Sequence, residues 1–213
     1  MKILSNRVTW GLMLIAFGVL FLLQNLELLP ESSLLWAIAF GAAGLVFFIY
    51  FLTARQHWWA SIPAFGFFGI AGTIVIADLL PGNIPSEWAG AFFMGMLALS
   101  FLVIYLRRRD HWWPVIPAGV LFTLTGIIVI AGLEREPDPS LVSLVLFGGL
   151  AATFLLLAIL PASSGRARWA IWPAVGLLIG AFFAGASTYN LLNLIFPAAL
   201  ITAGIFVLVR GLR

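Results

Sequence analysis

Arg107-Arg108-Arg109-Asp110-His111-Trp112-Trp113-Pro114-Val115-Ile116-Pro117-Ala118-Gly119 leads into an apolar run that reaches Gly132. Three membrane signals meet in this boundary. A block of arginines crosses a bilayer only at high cost, so it marks a loop. Two tryptophans suit the headgroup layer, where an apolar ring with one N–H donor sits best. Pro114 and Pro117 then fall at the start of a helix, where a missing N–H costs little. The same boundary occurs earlier as Arg55-Gln56-His57-Trp58-Trp59-Ala60-Ser61-Ile62-Pro63-Ala64. A looser copy follows as Arg166-Ala167-Arg168-Trp169-Ala170-Ile171-Trp172-Pro173-Ala174.

The composition around these boundaries fits one class. The 213 residues are 63% hydrophobic and 9% charged, whereas soluble domains run at about 45–50% and about 25%. A water-soluble fold of this length cannot hide that much apolar surface. With almost no polar linker, a single membrane domain over 1–213 is the expectation. The isoelectric point near 10.0 rests on 11 Lys and Arg against 8 Asp and Glu. The arginines flank apolar runs, which points away from nucleic acid. There are no cysteines, so disulfides, thiolate catalysis and Cys-ligated metal are excluded. Lys2 and Arg7 precede an apolar run as in a signal peptide. No small-x-small cleavage site follows, and an uncleaved first span is expected.

A span needs about 20 apolar residues. Eight such runs are legible, at 8–29, 34–53, 62–80, 88–106, 115–133, 141–160, 170–187 and 191–209. The breaks between them carry proline, glycine, asparagine or charge, and the last carries only Ser187, Thr188 and Asn190. Alternating the runs across a membrane puts Lys2, Arg7, Arg55, Arg107, Arg108, Arg109, Arg166, Arg168, Arg210 and Arg213 on one face. Only Arg135 lies on the other. Glu27, Glu31, Asp78, Glu87, Glu134, Glu136 and Asp138 lie opposite the arginines, and Asp110 lies with them. The excess of arginine on one face assigns both termini to the cytoplasm.

An internal repeat accompanies the charge pattern. His57 and His111 are 54 positions apart, as are Pro63 and Pro117. Gly18, Gly72, Gly126 and Gly180 follow the same step. The expected fold class is therefore all-α: a polytopic membrane helical bundle of eight transmembrane helices in four parallel hairpin repeats. The units fall at about 1–54, 55–108, 109–165 and 166–213.

The run Trp10-Gly11-Leu12-Met13-Leu14-Ile15-Ala16-Phe17-Gly18-Val19-Leu20-Phe21-Leu22-Leu23-Gln24-Asn25-Leu26-Glu27-Leu28-Leu29, followed by Trp36-Ala37-Ile38-Ala39-Phe40-Gly41, resembles the transmembrane region of LiaI/LiaF-type bacterial membrane proteins. There a Trp-led helix with a central glycine ends in an Asn-Leu-x-Leu-Leu turn, and a second Trp-led helix follows. Gly11 stands where the family usually has proline, and Gln24 where it commonly has Asp. The resemblance implies a protein of the bacterial cytoplasmic (inner) membrane, with a link to envelope-stress regulation in some members. It supplies no catalytic residues. The soluble C-terminal domain of the LiaF type is expected to be absent here.

Few residues are candidates for chemistry. His57 and His111 stand at equivalent repeat positions, as axial haem ligands or a quinone site would require. Duplication of an interfacial residue beside a Trp pair accounts for the same spacing without a ligand. The span centres hold no ionisable residue, which argues against proton relays and ion-coupled transport. Thr73, Ser100, Thr123, Thr125, Thr153, Asn193 and Thr202 could line a path for a neutral solute. Equally, they could bond within or between helices. Gly176, Gly180 and Ala184 form one face of the seventh run, and Ala199 with Ala203 offers a matching face on the eighth. Such faces serve helix packing or the docking of a partner. Trp58, Trp59, Trp112, Trp113, Arg107, Arg108 and Arg109 read as interfacial anchors. Neither a metal nor a cofactor is expected. The expected partners are membrane lipids, with a membrane-protein subunit or a second copy of the chain. The expected role is non-enzymatic: a structural, accessory or regulatory membrane component. The alternative is a channel or uncoupled facilitator for a small solute.

Overall fold

A computed structural model describes residues 33–80, 84–134, 136–160 and 167–188. It also describes 11, 14, 15, 18, 19, 21–23, 25, 26, 197 and 200–202. Among these, all regular structure is helical. Six long helices follow one another: α1 (Ser33–Thr53), α2 (Ser61–Ile74), α3 (Glu87–Arg107), α4 (Val115–Leu133), α5 (Pro139–Ile159) and α6 (Ile171–Thr188). With the turns that extend α2 and α6, all six are long and apolar enough to cross a membrane. Such a set is compatible with an integral membrane protein. Of the first and eighth expected spans, the described residues are nearly all helical, Leu26 excepted; the rest lie outside the described residues.

Local chemistry explains the helix ends. The Asp138 side chain caps α5 by accepting from the Ser140 N–H at 2.8 Å, with Pro139 in the first turn. Glu87 opens α3 and Arg107 closes it, each favourable to the helix dipole. Pro114 is the N-cap of α4. Pro63, Pro117 and Pro173 each hold the third position of their helix, where no backbone donor is needed. Ala64, Ala118 and Ala174 follow them and are buried. Two short 3₁₀ turns, Arg55–Ala60 and Arg168–Ala170, lead into α2 and α6. At its other end α2 widens into a π turn over Val75–Leu79, where the Leu80 N–H reaches back to the Val75 carbonyl at 3.0 Å.

The arrangement refines the expected bundle. Among the described long helices, close backbone approach is confined to neighbours in sequence. They form a row of antiparallel pairs rather than a group around one centre. Burial is low along every one of these helices, and large apolar side chains such as Leu45, Leu156 and Phe182 remain exposed. The seams use glycine against an aromatic ring. Gly44 faces Phe68, Gly69 faces Phe93, Gly72 faces Phe92 and Gly132 faces Trp88. A methyl at any of these would strike the ring, so glycine sets the helix separation. Between α4 and α5 the device is threonine on glycine, with Thr153 over Gly119 and Thr123 over Gly149.

Candidate functional site

The turns that carry the repeated Arg–Trp boundary meet at one end of the row. The Trp58 ring lies edge-on to Trp113 at 5.8 Å and to His111 at 5.8 Å. Trp112 lies edge-on to Trp169 at 5.7 Å, and Trp169 to Phe154 at 6.2 Å. Each turn thus touches the next through a tryptophan, in the edge-to-face geometry that aromatic quadrupoles favour. Two buried clusters lie beneath. One joins Phe47, Phe51, Ala60 and Ala64, and the other joins Tyr105, Val115, Leu157 and Ala170.

Arg107 is built into this end. Its guanidinium lies 4.4 Å from the centre of the Phe51 ring and donates to the Leu52 carbonyl at 3.3 Å. That carbonyl is among the last four of α1, which have no partner inside the helix. Arg107 therefore caps α1, two helices back in the chain, and makes a cation–π contact with the same group. Arg108 is half-buried, and Arg109 is exposed. Trp58, Trp112 and Trp113 are half-buried, while Trp59 is 39% exposed and packs on Phe47 and Tyr50.

The two histidines stand in different surroundings. His57 stacks on Tyr50 with ring centres 3.9 Å apart and 16° between planes. The Thr53 hydroxyl donates to the Tyr50 carbonyl at 2.7 Å, and its oxygen lies 3.1 Å from His57 Nδ1. A hydroxyl has one proton to give. With that proton on the Tyr50 carbonyl, Nδ1 is the donor of the second contact, and the neutral tautomer that fits this geometry is the one protonated on Nδ1. His111 instead turns an edge to Trp58, and its Nδ1 is buried without a hydrogen-bond partner among the described residues. Also among the described residues, no group of three or more His, Asp or Glu comes together to hold a metal ion.

Comparison of the chain with protein-family models, with curated proteins and with solved structures finds no match.

The hydroxyls proposed to line a path are engaged elsewhere. Thr123, Thr125 and Thr153 each donate to the carbonyl four residues back, at 2.8 Å. Ser100 donates three residues back to Leu97 at 2.7 Å. Thr73 donates across the α2–α3 seam to the Ala89 carbonyl at 3.1 Å, and Ser61 reaches the Ser100 carbonyl at 3.3 Å. Asn193 lies outside the described residues. On α6, Gly180 faces the Phe147 ring of α5, and Gly176 is exposed. Ala174, Ala181 and Ala186 are buried, and Gly185 sits 3.5 Å from Leu144. Ala184 is half-buried. Ala199 and Ala203 lie outside the described residues.

Two features were missed from the sequence. Tyr50 and Thr53, seven and four residues before His57, carry no signal of their own in the sequence. The other is an apolar groove between α2, α3 and α4, lined by Ile76, Leu80, Trp88, Phe92, Leu99 and Phe122 among others. It draws on three helices at positions with no shared sequence period.

Proposed function

We propose that this chain is a non-enzymatic, multi-pass component of the bacterial cytoplasmic membrane, with a structural, accessory or regulatory role like that implied by the LiaI/LiaF resemblance. Eight spans in four hairpins place the arginine–tryptophan end at the cytoplasm, with both termini there. The single observation that carries the reading is the row itself. Among the described residues, helices whose backbones come close only to their sequence neighbours leave wide apolar surfaces exposed, and lipid or a partner's helices are what can cover them.

The alternative, a channel or uncoupled facilitator, needs polar groups free to greet a solute. The hydroxyls of Ser100, Thr123, Thr125 and Thr153 donate to their own helices, which favours packing over conduction. Purification in a mild detergent, followed by identification of co-purifying subunits, tests the accessory role. A stoichiometric membrane subunit is the expected result. A protein that purifies alone and raises solute flux when reconstituted into vesicles would favour the facilitator.

A further inference from the structure

The groove between α2, α3 and α4 has a volume of about 520 Å³, within the roughly 300–1,000 Å³ of ligand pockets. Its walls are almost wholly apolar. Trp88 stands at one end, 41% exposed, and Leu99 and Phe122 stand at the other. Trp88 and Leu99 lie on one helix, about 16 Å apart at 1.5 Å per residue. That is close to half of a roughly 30 Å hydrocarbon core. The groove starts at the end of the row away from the arginines and stops near mid-depth.

This length discriminates between occupants. A helix crossing the membrane needs a seat along its full length. A lipid tail needs one leaflet. The mouth then selects the head. Asp78 lies in the π turn ending α2, Glu87 in the first turn of α3, and Glu134 at the C-cap of α4. All three are exposed. No basic residue lies beside these three among the described residues of the segments that carry them, so this end of the row is negatively charged. Trp88 adds an aromatic face that attracts a cation.

We propose that this groove binds a single-chain amphiphile with a cationic head, its alkyl chain along Trp88, Phe92 and Leu99 and its head among Asp78, Glu87 and Glu134. The proposal needs the helices to span a membrane, but not the accessory role or the orientation given above.

The test uses the full chain in alkyl maltoside micelles. Hexadecyltrimethylammonium and hexadecyl sulfate are titrated separately below their micelle concentrations, and bound copies are counted by native mass spectrometry. The expected result is an affinity on the order of tenfold higher for the ammonium compound. Replacing all three carboxylates (Asp78→Asn, Glu87→Gln, Glu134→Gln) should bring that ratio down to about threefold or less. Gly95 lies on the groove wall, where an added methyl carbon would meet Thr125 at an ordinary contact distance of 3.6 Å. Gly95→Leu should therefore fill the groove and weaken the ammonium compound about tenfold. Leu99→Trp, at an exposed position, shortens the groove from its inner end and should shift the preference toward decyltrimethylammonium. Equal affinity for the two heads overturns the proposal. So does unchanged binding in folded Gly95→Leu protein, or an unchanged chain-length preference in Leu99→Trp.

Discussion

Thr153 of α5 rests on Gly119 of α4, and a methyl group at Gly119 would run into the threonine side chain. The partner pair, Thr123 over Gly149, repeats the contact in the opposite direction. Each threonine donates its hydroxyl to the glycine carbonyl of its own helix, so the oxygen is bonded there while Oγ1 and Cγ2 together pack on the facing glycine. In lipid, where burial of apolar surface gives no advantage, close contact of this kind is what holds two helices together.

Gly119→Ala should therefore destabilise the protein by about 1–3 kcal/mol, as overpacking does. Thr153→Ala in the same chain should restore part of the loss, with a coupling of roughly 0.5–3 kcal/mol. Thermal unfolding of the two single variants and the double variant in detergent measures it. Additive effects would show that the pair does not touch.

Gly176 and Gly180 should separate two kinds of contact on α6. Gly180→Leu meets the Phe147 ring and should cost about 1–3 kcal/mol in unfolding experiments. Gly176 is exposed, with nothing within 4 Å of a methyl placed there among the described residues. Gly176→Leu should leave unfolding unchanged. Loss of a co-purifying subunit in that variant would mark the exposed side of α6 as the docking face.

The bonding around Thr53 sets the tautomer of His57. Nitrogen-15 NMR of the neutral ring should find the proton on Nδ1 in the native protein. In Thr53→Val the acceptor is gone, and the proton should move toward Nε2. An Nε2-protonated ring in the native protein would contradict the arrangement of Tyr50, Thr53 and His57.

The pair of histidines gives a further spectroscopic expectation. Purified protein should show no Soret band, since Tyr50 covers one imidazole and the other lies edge-on to Trp58. A band lost in a His57→Ala, His111→Ala double variant would reverse this reading.

The positions of the helices were legible because charge and proline punctuate the apolar runs. The run 115–133 coincides with α4, and 34–53 falls within one residue of α1. What stayed hidden was which helix face meets which neighbour. These helices are apolar all round, so no polar stripe marks the side away from a contact. The π turn at Val75–Leu79 carries no proline or glycine to announce it. The glycine of a seam could be suspected from its spacing, but its partner could not. Gly72 and Gly180 hold equivalent positions in the 54-residue step, yet one faces Phe92 in the following helix and the other Phe147 in the preceding one. At the candidate site, the Trp pairs could be placed at an interface. The use of Arg107 as a cap on α1 could not, because Arg107 and Leu52 are 55 residues apart.

The most direct test of the membrane account is a topology reporter that is active only outside the cytoplasm. The account predicts silence when it is fused after Arg213 and activity when it is inserted beside Asp138 in the loop between α4 and α5. Activity at Arg213 would break the even span count, and silence at Asp138 would place the arginine end on the wrong side of the membrane.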